Sequence, residues 1–526
     1  VLTKNGSGSV TLTSNNTYSG GTTLNAGTLN VNSAGALGSG PLTLNGGTLD
    51  NTFGALTLAS NPAQSWAGNF TFGGTNDLNL GSGGVTLTNS RTVTTNNSGR
   101  LTVGGVISGA SNSLTKNGTG TLTLTNKNTY GGGTIVNGGI LELGSGGGTG
   151  TIGGTLTINN GGTVRTLVTD SIGFTAGLQV NTVTLNAGGT FDAYIGGNEG
   201  FDTNFVMNGG TVQSTSGGRI NFDTGFGIST NPASGNSTFS APISIRGSAL
   251  PIDVEAGSNL NLFTGFNNGT GNGTVTKTGA GTLTFGSGNA FPTAPLVFNG
   301  GVVATGGFSQ SSTGTLQLAS NSTLDLGPVG SNATVSFGDS SALAWSGTLT
   351  IANWSAGANH LIMIASPTGL TSAQLGDIKF ADFAHQGASL VTSPAGAFSF
   401  GEVVPTIGDI DQNGVVNASD LNELMIALTN FDVFKNSLQS QNPLLTDSDL
   451  KYIVDVNLDG SPDNADIQAE IFTINAALAP HAPGLGNGSA VPEPASIALL
   501  GIGAFVAGFI AYRRRMSVQL SHGCNN

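Results

Sequence analysis

Of 526 residues, 86 are glycine and only 8% are Asp, Glu, Lys or Arg, against about 7% and about 25% in ordinary soluble domains, which disfavours a conventional globular enzyme. A single compact core stops growing at about 250–300 residues, so a chain of this length must divide or elongate. The net charge of −13 is concentrated, with 12 acidic and 2 basic groups in residues 403–480, which argues against a nucleic-acid partner and for a local cation site.

The first four hundred residues are repetitive. LTKNGSGSVTLTSNNTYSGGTTLNAGTLNV at 2–31 returns in register at 114–143, and a third, weaker copy begins at Val275. Lys4, Lys116 and Lys277 share one position of the unit, and Tyr18 and Tyr130 another. A shorter theme recurs between the copies: LTLNGGTLDN at 42, LTINNGGTVR at 156, VTLNAGGTFD at 183, FVMNGGTVQS at 205 and LVFNGGVVAT at 296.

Each theme is a short alternating strand, a tight turn and another strand. Leu42 with Leu44, and Val183 with Leu185, have the two-residue period of a strand buried on one face. Asn-Gly-Gly supplies the positive φ angles that the turn needs. Helix-period segments are scarce before residue 370, so helical crossovers are excluded and the reading is all-β: a right-handed parallel β-solenoid (β-helix) with coils of about 20–25 residues. Thr, Ser and Asn on the solvent face are expected to form ladders where like charges would repel. The unit LTKxGxGxLTLTxxNTYxGGTxVNxGxLxL resembles the autotransporter-associated β-strand repeat of passenger domains. No series of amphipathic strands that could close a translocating barrel follows it, so export by another route is expected. The chain starts within a repeat, without initiator Met or apolar leader, and a signal peptide is expected ahead of it.

Residues 351–402 read as the cap of the solenoid, which would otherwise expose core and strand edge. His360 and His385 lie in this stretch without a nucleophile or metal motif beside them. Elsewhere the best carboxylate candidates for glycan chemistry are Asp253 with Glu255, on one face of a strand, and the Asp192, Glu199, Asp202 patch. No catalytic residue is assigned.

DIDQNGVVNASD at 409–420 and DVNLDGSPDNAD at 455–466 each place oxygen ligands at loop positions 1, 3, 5, 9 and 12, with Gly at 6 and a carbonyl at 7. That spacing wraps a twelve-residue loop around Ca²⁺. The expected ligands are Asp409, Asp411, Asn413, the Val415 carbonyl, Asn417 and Asp420 in the first loop. In the second they are Asp455, Asn457, Asp459, the Ser461 carbonyl, Asp463 and Asp466. Two Ca²⁺ are expected, the second loop binding at least as tightly because it has four carboxylates against three. Helices should follow each loop, carrying Leu421, Leu424, Met425 and Leu428, and then Ile467, Ile471 and Ile474. Thr446–Val454 could add a short helix before the second loop. Before the first loop Pro405 and Gly408 forbid one. The EF-hand has Glu at position 12 where both loops here have Asp. Loop-then-helix twice, with Asp at 12, resembles the dockerin type I module, which implies docking on a cohesin-like domain.

Past a flexible linker, Ile497–Tyr512 offers 16 uncharged residues, about 24 Å of helix, stopped by Arg513, Arg514 and Arg515. A transmembrane helix with the arginines cytoplasmic is expected. Val491, Pro492, Glu493 and Pro494 ahead of it complete a resemblance to the PEP-CTERM sorting signal of Gram-negative bacteria, which implies an exosortase-like processing enzyme. The expected layout is a solenoid over 1–350, a cap over 351–402, the calcium module over 403–478, a linker over 479–490, the sorting signal over 491–515 and a tail over 516–526. The function expected is that of a non-catalytic, exported cell-surface or matrix protein acting in adhesion or matrix structure. The alternative is a polysaccharide-degrading or polysaccharide-binding β-helix attached through its dockerin-like module, with an extracellular polysaccharide as partner.

Overall fold

A computed structural model describes residues 1–478 apart from 195–197, 200–201, 269–272, 329, 357, 364–368, 384–386, 393–400 and 442–444. Within it the strands stack as a parallel β-solenoid of about 16 turns. Two sheets of 15 strands run along the stack, one from Ser9–Leu12 to Leu316–Ser320, the other from Leu56–Thr57 to Ile378–Phe380. A six-stranded sheet from Leu2–Lys4 to Ile107–Ser108 accompanies the first coils. A four-stranded and a five-stranded sheet accompany later ones. Leu2 pairs with Thr22 and Thr22 with Leu42, so a coil advances 20 residues there; Thr155 pairs with Thr182, a longer coil.

Alternation turns one side of each strand inward. Leu24, Leu44, Leu156, Val183 and Leu260 are fully buried, while the residues between them are partly exposed. In mid-stack the interior is aromatic: Phe205 meets Phe191, Phe222 and Phe239 edge-on with ring centroids 5.7, 5.9 and 5.8 Å away. Each such buried side chain contributes about 1.5–3 kcal/mol.

The polar positions stack as well. Asn45 Nδ2 donates to Asn25 Oδ1 (2.7 Å), and Asn25 Nδ2 donates to Asn5 Oδ1 (2.6 Å). A second asparagine ladder runs through Asn117, Asn137, Asn159, Asn186 and Asn208 at 2.6–3.2 Å. The amide is donor and acceptor at once, so it satisfies its neighbours in both directions of the stack. The recurrent lysine is buried. Lys116 Nζ donates to the carbonyls of Asn117, Gly118 and Gly138 at 3.0, 3.0 and 2.8 Å, and Lys4 does the same to Asn5, Gly6 and Ala26. The recurrent tyrosine bonds the threonine four residues on, Tyr18 to Thr22 and Tyr130 to Thr134.

At the end of the stack the pairing changes. His360–Met363 pairs in parallel with Thr334–Phe337, but Gly401–Pro405 joins it antiparallel and carries Ala388–Thr392, also antiparallel, on its far side. A short helix α1 (Ser372–Gly376), capped by Thr371, precedes Ile378–Phe380. Four helices follow: α2 (Ala418–Thr429), α3 (Phe431–Gln441), α4 (Asp447–Val454) and α5 (Asn464–Leu478). They pack onto the solenoid end. Trp354 sits edge-on to Phe380, Phe383 and Tyr452 of α4, with centroids 5.4, 5.7 and 5.4 Å apart, and the Ala356 N–H donates to Asp449 Oδ1 (3.2 Å).

Among the described residues no helix is long and apolar enough to cross a membrane. The expected span over Ile497–Tyr512, with Val491–Pro494 and Arg513–Arg515, lies outside the described residues.

Candidate metal centre

Gly401–Pro405 delivers the chain into the first acidic loop, and α4 delivers it into the second. The two loops then fold by one hydrogen-bond scheme. Asp409 accepts from the N–H groups of Asn413 and Gly414, both at 3.0 Å. Asp455 accepts from Asp459 and Gly460 at 3.1 and 2.8 Å. Asp420 Oδ1 accepts from Asp411 N–H (3.1 Å) and Oδ2 from Asn417 N–H (2.7 Å). Asp466 accepts from Asn457 (3.0 Å) and Asp463 (2.7 Å) in the same way.

The scheme extends to the middle of each loop. The Val415 N–H donates to Asn413 Oδ1 at 2.9 Å, and the Ser461 N–H to Asp459 Oδ1 at 3.0 Å. Ser419 N–H donates to Asn417 and Ala465 N–H to Asp463, so position 9 caps the following helix in both halves. The backbone matches too: Gln412 and Leu458 at position 4 both have φ of 58°, and Gly414 and Gly460 at position 6 have 86° and 90°. Two left-handed residues close together bend each loop so that its N–H groups point inward.

This arrangement brings like charges together. Carboxylate oxygens of Asp409, Asp411 and Asp420 lie within 4.8 Å of one another, and Asp420 and Asp466 are fully buried. Burial, then the neighbouring Asp411 and Asp409, raise the Asp420 pKa against the lowering by its N–H donors. Burial also raises Asp455, with Asp466 and Asp459 adding to it. Oxygen-only donors, closely spaced and fixed by backbone N–H groups, match a hard divalent cation such as Ca²⁺; the residues fit the group that the spacing implies.

One buried acid was not singled out from the sequence. Glu470, on α5 one turn past Asp466, is fully buried and neither carboxylate oxygen has a hydrogen-bond partner. Burial, with the charges of Asp420 and Asp409, pushes its pKa up to about 8. Its spacing from the second loop marks a helical position, but nothing local to it signals burial.

The candidates for glycan chemistry are dispersed. Asp192 is buried, pairs with Arg165 Nε (3.3 Å) and accepts from Thr215 N–H and Oγ1. It belongs to an outward ladder with Thr123, Glu142 and Arg165 along adjacent strands. Burial raises the pKa of Asp202, with Asp223 adding to it. Asp253 accepts from Thr278 Oγ1 at 2.8 Å. His360 Nδ1 lies 2.5 Å from Glu402 across the antiparallel pair. The Glu199 side chain and His385 lie outside the described residues. An open depression of about 290 Å³ beside Asn321, Thr323, Thr348 and Thr350 is lined by no titratable side chain.

A family model described as the passenger-associated-transport-repeat matches residues 2–31, 114–143 and 275–307. Another, described as the PEP-CTERM protein-sorting motif, matches residues 490–515. No curated protein and no solved structure matches the chain. Three repeat copies on a β-solenoid, followed by a sorting motif, are features of an exported surface protein, and the motif implies processing by exosortase-like machinery.

Proposed function

We propose that the chain is a non-catalytic surface or matrix stalk, acting in adhesion or matrix structure, whose helical module holds two Ca²⁺. The observation that carries this reading is the duplicated hydrogen-bond scheme of the two loops, which fixes the first and last aspartates of each by the same backbone N–H groups. Asp409, Asp411, Asn413, Asn417, Asp420 and the Val415 carbonyl would hold one ion. Asp455, Asn457, Asp459, Asp463, Asp466 and the Ser461 carbonyl would hold the other. Bound Ca²⁺ supplies the positive charge that lets these acids ionise side by side. Since α4 touches the solenoid end through Tyr452 and Asp449, the folded module also covers core that would otherwise face water.

In this reading the sorting motif holds the chain at the membrane of a Gram-negative cell until an exosortase-like enzyme acts on it. A dockerin-like role for the module, with a cohesin-like partner, accords with the loop-and-helix plan. A glycan-binding surface is the second reading, favoured by Tyr194, half-exposed with the Arg165 guanidinium 4.9 Å over its ring. Cells lacking residues 403–478 should lose calcium-dependent aggregation while the solenoid still reaches the surface. Purified protein should bind or ignore polysaccharide without releasing reducing sugar. Hydrolysis abolished by Asp253→Asn would overturn the non-catalytic reading.

A further inference from the structure

The two halves of the helical module share one loop plan, and the helices that follow the loops differ at a buried position. Four residues past the last loop aspartate, the first half has Leu424 and the second has Glu470, and both are fully buried. A leucine needs nothing more there. A carboxylate with no donor on either oxygen is strongly disfavoured in its ionised form, so something beyond the protein's own donors must satisfy it.

Those surroundings are the first loop, not the second. A Cβ added to Gly408, the residue before Asp409, would stand 2.9 Å from Glu470 Oε2, 3.0 Å from Thr473 Cγ2 and 3.2 Å from Val416 Cγ1. Gly408 also has a φ of 87°, so the bare backbone there both turns the chain into the loop and makes room for the acid. The charges that act on Glu470 are those of Asp420 and Asp409, the first and last carboxylates of that loop. A fully buried, unpartnered acid of α5 therefore lies against Gly408, at the entrance to the first loop and beside, not within, the 4.8 Å cluster of Asp409, Asp411 and Asp420.

We infer that Glu470 belongs to the cation site of the first loop, supplied across the module by the helix that follows the second. This rests on the reading of the loops as Ca²⁺ sites and extends it. The carboxylates then balance: Asp409, Asp411, Asp420 and Glu470 on one side, Asp455, Asp459, Asp463 and Asp466 on the other. The greater charge of the second loop, counted along the sequence, disappears. The first ion also becomes a tie between the two halves, because α5 can satisfy Glu470 only when the first loop is loaded.

The test is calorimetric titration of the full chain with Ca²⁺ after chelator removal, comparing wild type with Glu470→Gln, Glu470→Leu and Asp432→Asn, the last an exposed acid of α3. Two sites are expected in wild type. One of them should weaken about 10-fold or more in Glu470→Gln, and neither should change in Asp432→Asn. Glu470→Leu copies Leu424 and should resist protease better than wild type without calcium, yet bind one ion weakly. Two unchanged sites in either Glu470 variant would overturn the inference and leave the loop reading standing. No binding by wild type at millimolar Ca²⁺ would overturn both.

Discussion

The ammonium group of Lys116 donates to the carbonyl of Gly138, 2.8 Å away and one coil further along the stack. Two more carbonyls, of Asn117 and Gly118, complete its three acceptors, so an extended lysine closes its own turn and pins the next. Gly139 beyond it has φ of 62°, and a Cβ there would stand 2.4 Å from the Gly120 carbonyl. The repeat's lysine and its glycine 23 residues on therefore answer each other. Lys116→Met should cost roughly 3 kcal/mol, since it orphans buried acceptors of a charged donor. Gly139→Ala should be destabilising through strain. A lower thermal midpoint with new protease cleavage between 117 and 138 is the expected readout; an unchanged midpoint in both variants would show the lysine to be dispensable.

Aromatic packing, by contrast, acts through volume. Phe205→Ala removes the ring that three others touch and should cost about 3–5 kcal/mol. Phe53→Ala, at a side chain 81% exposed, should be close to neutral. Equal midpoints for the two variants would contradict the placement of Phe205 at the centre of the stack.

Without metal, the helical module should be favoured by acid. Glu470 has its pKa raised from 4.5 to about 8 in the folded chain, and Asp420 and Asp455 are raised too. Below the ordinary value both folded and unfolded forms are protonated and nothing is lost. As pH climbs past it the unfolded chain releases a Glu470 proton that the folded one keeps, so folding weakens until about pH 8, by at most about 1.4 kcal/mol per pH unit for that proton. Chelator-treated protein should accordingly resist proteolysis within 403–478 better at pH 5 than at pH 8. Calcium should invert the trend, because ligands bind metal deprotonated. Resistance that rises with pH in chelator would contradict the burial of these acids.

The arginine cluster after the apolar stretch should set topology. Protease added to spheroplasts before processing should digest the solenoid and spare a tag placed after Asn526. Protection of the solenoid would refute the orientation inferred from Arg513–Arg515.

How far the chain could be read in advance differs by level. Alternating Leu and Val, Asn-Gly turns and an in-register repeat announce a parallel stack, because each acts locally. Which sheets a repeat occupies is not local. Leu2–Lys4 and Ser9–Leu12 lie in the six-stranded sheet and one long sheet, whereas their counterparts Leu114–Asn117 and Thr121–Leu124 lie in the two long sheets. The unit specifies strand, turn and strand, and the stacking decides the rest. Helix α4 is legible as the short helix expected over Thr446–Val454, but α3 is not: its buried Phe434 and Leu438 are one turn apart and the stretch from Lys435 onward is otherwise polar. The loop spacings fixed the expected ligands by residue. Glu470 escaped because an acid on a helix reads as solvated, and only the fold turns it inward.

The measurement that tests the account most directly follows the full chain by far-UV circular dichroism and limited proteolysis while Ca²⁺ is added to chelator-stripped protein. The account predicts gains in helicity and in protease resistance across 403–478, saturating as two ions bind, with Asp409→Ala and Asp455→Ala each removing part of the response. A spectrum and a digestion pattern that stay unchanged to millimolar Ca²⁺ would contradict it.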